Sequence, residues 1–259
     1  MKTTQRIDKI LATCGFGTRK EAKNLLHTGT VTVDGKVVTV ADTQVDPNIQ
    51  KIAVDGEVLC VQHHVYLMLN KPSNVVSSTK DGEHQTVLDL LDEKYKHRFP
   101  GGEIHLVGRL DIDTEGLLLL TTDGSLTHRL TSPKNHISKK YFVKLKQSVN
   151  KNQAQNYTQK FSAGIEVPRE SNEDAFIAKP AQIEWLKPEN AENAENGETN
   201  EAFLTITEGK YHQVKRMFLA MGNEVIYLKR VAIGNLQLDE NLSLGSSREL
   251  SLEELELLK

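Results

Sequence analysis

Residues 108–121 read Gly108-Arg109-Leu110-Asp111-Ile112-Asp113-Thr114-Glu115-Gly116-Leu117-Leu118-Leu119-Leu120-Thr121. Two glycines, four charged residues and a threonine are packed into nine positions, and four leucines follow at once. A second apolar run, Ile104-His105-Leu106-Val107, precedes the loop. Apolar runs this short, bounded by turn residues, read as buried strands rather than helices. The stretch therefore predicts a polar loop held between two strands, the setting in which catalytic groups concentrate.

Working outward, Val65-Tyr66-Leu67-Met68-Leu69 reads as a buried strand ending at Asn70-Lys71-Pro72, and Val75-Val76-Ser77-Ser78 as its continuation. Tyr141 to Leu145 and Phe203 to Ile206 add further strands. Val214, Phe218 and Met221 mark a helix that begins near Tyr211 and stops at Gly222. Short strands with few helices predict an α+β fold around a mixed sheet. The Asn/Glu-rich segment within 188–201 carries five glutamates and no base, and reads as a flexible surface loop.

The first sixty residues have a different pattern. Ile7, Ile10, Leu11 and Cys14 fall at helical spacing before Gly15, and Thr18-Arg19-Lys20-Glu21 is a capping box that opens a second helix. Ala22, Leu25 and Leu26 give that helix its buried face, and Arg19, Lys20 and Lys23 lie away from it. Two β runs then flank Asp34-Gly35, a dipeptide that favours a tight hairpin. A helix-helix-hairpin module with one basic face suits a phosphate backbone. It resembles the small RNA-binding module of ribosomal protein S-four. The expected division is a module at 1–60 and a larger domain at 61–259.

A chain of 259 residues has room for one mid-sized and one small domain. It has no apolar stretch long enough to span a bilayer and no apolar secretory core near Met1, so a cytoplasmic protein without a membrane partner is expected. Cys14 and Cys60 are too few for a disulfide framework and lack zinc-ligand spacing. The net charge of −3 conceals segregation: besides the Arg19 group, Lys139, Lys140, Lys144 and Lys146 form one basic cluster, and Lys210, Lys215, Arg216, Lys229 and Arg230 another. A single such cluster reads as a solvated face, but three beside polar motifs point to a polyanion.

The residue types exclude several chemistries. Asp111 and Asp113 lack a nearby third ligand, adjacent His63 and His64 point apart in an extended strand, and no glycine-rich phosphate loop, nucleophile elbow or HExxH pattern occurs. No metal site is expected, and a metal-dependent nuclease lacks the acidic cluster it needs. What is left is one catalytic carboxylate with basic helpers.

Leu69-Asn70-Lys71-Pro72, the 108–121 stretch, Lys140-Tyr141, and Glu208-Gly209-Lys210-Tyr211-His212-Gln213-Val214-Lys215-Arg216-Met217 resemble, in order, the motifs of the RsuA-type pseudouridine synthases. The resemblance runs from about Gln5 to about Leu244. It implies a mixed-sheet catalytic domain, isomerisation of a ribosomal RNA uridine without a cofactor, and Asp111 as the catalytic carboxylate. Asp113 and Thr114 are expected to shape the loop, Lys215 to pair with Asp111, Tyr141 to lie over the uracil, and Arg109 to fill the gap left by a flipped nucleotide. Lys71, Lys140, His212, Gln213 and Arg216 are expected to join Arg19, Lys20 and Lys23 in binding RNA. The Tyr211–Phe218 segment is closer to the synthases of small-subunit (16S) rRNA. A large-subunit (23S) target and an inactive ribosome-assembly protein are the alternatives, and a monomer is expected.

Overall fold

The structure is a computed structural model that describes residues 4–47, 49–59, 64–96, 102–170, 173–187 and 198–258. Cys60, His63 and most of the expected 188–201 loop lie outside the described residues. The chain divides into two compact units, one of Met1–Tyr66, Asp92–His105 and Thr121–Asp123, the other of Leu67–Leu91, Leu106–Leu120 and Gly124–Lys259.

In the first unit, β1 (Gln5–Arg6) leads into α1 (Ile7–Thr13) and α2 (Arg19–His27). The strands β2 (Val31–Val33), β3 (Lys36–Val37), β4 (Gln44–Val45), β5 (Ile52–Val54) and β6 (Glu57–Val58) follow. The Thr18 hydroxyl accepts the Glu21 N–H at 3.3 Å, and the Glu21 carboxylate accepts the Thr18 N–H at 2.5 Å. These bonds satisfy free donors at the start of α2, an arrangement worth about 1 kcal/mol. Ile7, Ile10, Leu11, Ala22 and Leu26 form a common core with Val31. Asp34 and Gly35 both take positive φ, as a two-residue hairpin turn requires, and join β2 to β3. Arg19, Lys20 and Lys23 are all exposed on the outer face of α2.

The remaining elements are β7 (Tyr66–Lys71), β8 (His105–Val107), β9 (Glu115–Thr121), α3 (Gly124–Thr131), β10 (Lys139–Val149), α4 (Lys151–Ala163), β11 (Glu166–Val167), β12 (Phe176–Ile177), β13 (Gln182–Trp185), β14 (Thr199–Ile206), α5 (Gln213–Ala220), β15 (Val225–Ile233), β16 (Leu236–Gln237), β17 (Ser247–Glu249) and α6 (Leu252–Glu256). A sheet in the order β13-β14-β10-β15-β9-β7-β17, with β16 on β15 and β8 on β9, forms the centre. β9 and β15 pair in parallel while β10 is antiparallel to both its neighbours, so the sheet is mixed as expected. Leu117 to Leu120 are wholly buried in β9, which fixes the loop before it to the middle of the sheet.

Three sequence readings change. Val75 to Ser78 does not continue the sheet, because only Val76 forms a bridge, to Thr86. α4 went unread: its composition is polar, and only Tyr157 and Phe161 are buried from its thirteen residues. The lysine cluster on β10 is not a free positive patch. Lys140 meets Glu184 at 3.0 Å, Lys144 meets Glu201 at 3.0 Å and Lys146 meets Glu224 at 2.7 Å. The sheet brings acids from distant segments beside the bases, with Glu201 directly opposite Lys144, an effect that clustering along the chain does not reveal.

The parallel register sets Gly116 against Arg230. Gly116 has φ +101°, and a Cβ there would overlap the Arg230 carbonyl oxygen. Gly116→Ala is expected to destabilise the larger unit by about 2–5 kcal/mol through strain and overlap, measured as a lowered denaturation midpoint; an unchanged midpoint would mean that the close approach is not required.

Candidate active site

β7 ends in Lys71, whose side chain is 0% exposed. Its ammonium donates to the carbonyls of Pro72 (3.0 Å), Asp111 (3.1 Å), Ile112 (3.2 Å) and Thr114 (2.9 Å). Three of these acceptors belong to the 108–116 loop, so one buried cation gathers the backbone on both sides of Asp113. Burial pushes this ammonium down to about 8, against the pull of the Asp113, Asp111 and Glu115 carboxylates. Lys71 therefore cannot serve as the direct RNA contact expected of it: with no exposed surface, it cannot reach a phosphate.

Other bonds hold the loop as well. The Ser77 hydroxyl donates to the Leu110 carbonyl at 2.8 Å and accepts its N–H at 3.1 Å, while Asn74 donates its N–H to Ile112 at 2.8 Å. The Thr114 N–H closes a turn onto the Asp111 carbonyl at 3.1 Å. Asp113 and Thr114 thus shape the loop, Thr114 from a buried position and Asp113 through its side chain.

The Asp111 side chain projects from this turn and is 28% exposed. Lys215, on α5, lies 3.4 Å from its Oδ2, and His212 Nε2 lies 3.8 Å from Oδ1. The shorter contact of Lys215 is to Asp113, at 2.6 Å. Lys215 therefore bridges two carboxylates rather than serving Asp111 alone. Burial raises the Asp113 carboxyl, but the hydrogen bond and charge of Lys215 and the nearby His212 outweigh it and hold Asp113 below the usual carboxylate range.

Helical spacing sorts the second motif into two faces. His212 and Lys215, three residues apart, point to Asp111. Gln213 and Arg216 are buried instead. Gln213 donates to Glu208 at 2.7 Å and accepts the Lys210 N–H at 3.0 Å, fixing the turn before α5; within it His212 takes φ +47°. Arg216 donates to the Pro168 and Asp174 carbonyls, both at 2.8 Å, and lies over the Phe176 ring. Both side chains are committed inside the protein, which replaces the expected RNA contact with a positioning role. Lys140, paired to Glu184, is likewise committed at the surface.

Tyr141, on β10 and 8% exposed, and the exposed Arg109 line one cleft with Asp111, Lys210, His212 and Arg230. Its volume is about 560 Å³, enough for a nucleotide. Lys139, Lys210 and Arg230 line it without having been singled out as site residues. The available signal was their basic clustering, which does not tell a paired cation from an open one. The cleft offers one carboxylate beside cations, with an aromatic wall. Among the described residues no cluster of three or more potential metal ligands occurs.

The chain belongs to the RNA pseudouridylate synthase family, enzymes that isomerise uridine in RNA: the family's model matches residues 65–220, and an S4 domain matches residues 5–48. It is 44% identical to an uncharacterized RNA pseudouridine synthase, YtzG, of Bacillus subtilis (strain 168), covering 98% of each chain. To ribosomal small subunit pseudouridine synthase A of Escherichia coli (strain K12) it is 40% identical, over 96% of this chain and 98% of that one. A crystal structure of a pseudouridylate synthase matches with a TM-score of 0.62 at 36% identity, covering 98% of this chain and 99% of that one.

Replacing Lys71 by Met is expected to cost about 1–3 kcal/mol in stability through the lost charged donor and to lower pseudouridine formation at least about 100-fold as the Asp111 turn loosens. The checks are denaturation and tritium release from carbon-5-labelled RNA; full activity would show that the carbonyl cage is dispensable.

Proposed function

We propose that this enzyme converts one uridine of small-subunit ribosomal RNA to pseudouridine, with Asp111 as the catalytic carboxylate. The observation that carries this is the single carboxylate in the cleft, Asp111, held on a turn tied down by Lys71 and faced by Lys215 and His212. The reaction breaks the bond from ribose C1′ to uracil N1, turns the base and joins C1′ to carbon 5; carbon 5 loses a proton and N1 gains one. A carboxylate suits both available routes, attack on sugar or base and removal of a proton.

Tyr141, on the cleft wall, is assigned to lie over the uracil ring. Arg109, exposed beside Asp111, is assigned to fill the space left by the flipped nucleotide, whose extrusion costs a few kcal/mol. His212 and Lys210 line the same cleft and are assigned to the substrate strand. Arg19, Lys20 and Lys23 on α2 are assigned to hold rRNA phosphates from the first unit. The small-subunit target is supported by the 40% identity to small-subunit synthases. The reading includes a monomer acting in the cytoplasm: one chain supplies Asp111, Lys215 and Tyr141, so the cleft needs no second copy to complete it.

Pseudouridine mapping of both ribosomal RNAs, after incubating unmodified substrate with wild type and Asp111→Asn, tests the target and the catalyst together. Conversion of one small-subunit uridine by wild type alone is expected; an active Asp111→Asn enzyme rejects Asp111, and a modified large-subunit position rejects the target. Changing Arg19, Lys20 and Lys23 together to Gln is expected to make the slope of log affinity against log salt shallower by about 2 to 3, read by filter binding to the small-subunit transcript. An unchanged slope would remove α2 from the interface.

A further inference from the structure

Arg230 is 3% exposed on β15, yet it is only partly engaged. Its Nε donates to the Leu117 carbonyl at 2.8 Å, while its buried Nη2 has no hydrogen-bond partner among the described residues. Arg230 is among the residues lining the cleft that contains Asp111. Register pairs Arg230 directly with Tyr141 across β10 and β15, so the two side chains share one face of the sheet. Lys139 lies two residues before Tyr141 and therefore on that same face, and it too lines the cleft. Its ammonium donates to the Ile137 carbonyl at 2.9 Å.

Among the described residues neither cation has a carboxylate to answer it. Asp111 is the single acid among the residues lining the cleft, and it is held by Lys215 and His212. Burial pushes the Lys139 ammonium down, and the positive charge of Arg230 pushes it the same way. Two like charges this close, one of them almost wholly buried, repel each other at a cost. An anion between them would reverse the sign of the interaction.

We propose that Lys139 and Arg230 form a phosphate subsite that grips the RNA backbone beside the uridine seated against Tyr141, a reading that rests on the RNA-modifying function of this cleft. A uracil carbonyl would answer one donor, but it carries no full charge to offset two cations. Binding energy taken from the backbone at this point would help hold the nucleotide out of its stack, where the penalty of flipping must be met. Arg230 then has two tasks: Nε ties β15 to β9, and its positive charge, beside that of Lys139, favours a phosphate in the cleft that both residues line.

The test uses the full-length protein and an unmodified small-subunit rRNA transcript, with Kd measured across a salt series. Lys139→Gln decides the matter, because Lys139 is only partly buried and its loss leaves the Arg230–Leu117 bond in place. The expected result is affinity weaker by about tenfold and a slope of log affinity against log salt shallower by about 1, with Lys139→Arg restoring both. Arg230→Lys, which keeps the charge and loses the fork, is expected to preserve the slope while lowering kcat/KM for pseudouridine formation. Wild-type affinity and slope in Lys139→Gln would overturn the subsite; weaker binding with an unchanged slope would also overturn it, pointing to a base carbonyl instead. Since Kd and its salt dependence need no turnover, a protein that binds but forms no pseudouridine would count against the catalytic reading and leave this result legible.

Discussion

The buried ammonium of Lys71, closed on by four carbonyl oxygens, is the contact on which the active site depends. A nine-residue loop with two glycines has many conformations, and its ordering cost must be offset by bonds made in one of them. Lys71 supplies these from the end of a strand, so the loop takes its reference from the sheet. The charge that makes the bonds strong also makes burial expensive. Asp111, Asp113 and Glu115 contribute the compensating negative field. The Asp111 carboxylate is thus part of the electrostatic support of the loop that carries it.

A second consequence concerns how cations are divided. Glutamates on or beside other strands of the same sheet answer Lys140, Lys144 and Lys146 of β10, so these lysines tie parts of one sheet together and leave little free positive charge. Such exposed pairs contribute about 0–1 kcal/mol each. Cations with no ion pair among the described residues sit elsewhere, on the outer face of α2 and lining the cleft at Lys139 and Arg230. A protein of net negative charge can bind RNA when its acids neutralise its other bases and leave these positions open.

Local signals in the sequence were legible where the physics is local. Thr18 and Glu21 cap a helix through bonds three residues apart, and Asp34-Gly35 turns a hairpin because both positions need positive φ. Leu117 to Leu120 reveal a buried strand without help from elsewhere. α4 was less legible, although Asn150 and Gln153 form a capping box and Ala154, Tyr157 and Phe161 mark one face, because polar residues dominate between them. Val75 to Ser78 has strand composition but makes a single bridge, since a strand needs a partner as well as a propensity.

By itself the sequence determined the fold class, the helix-helix-hairpin module, and the Asp111 loop with its ordered motifs. The first two follow from periodicity, turn chemistry and residue types that act over a few positions, and the ordered motifs from their resemblance to a known family. Only the tertiary structure decided what each charged side chain does. Lys71 and Arg216 read as surface cations yet are buried against carbonyls about 40 residues away. Lys215 read as the partner of one aspartate and bridges two. A charge is defined along the chain, but its partner and its exposure are defined in space, and burial and pairing decide whether it holds the fold or faces the substrate.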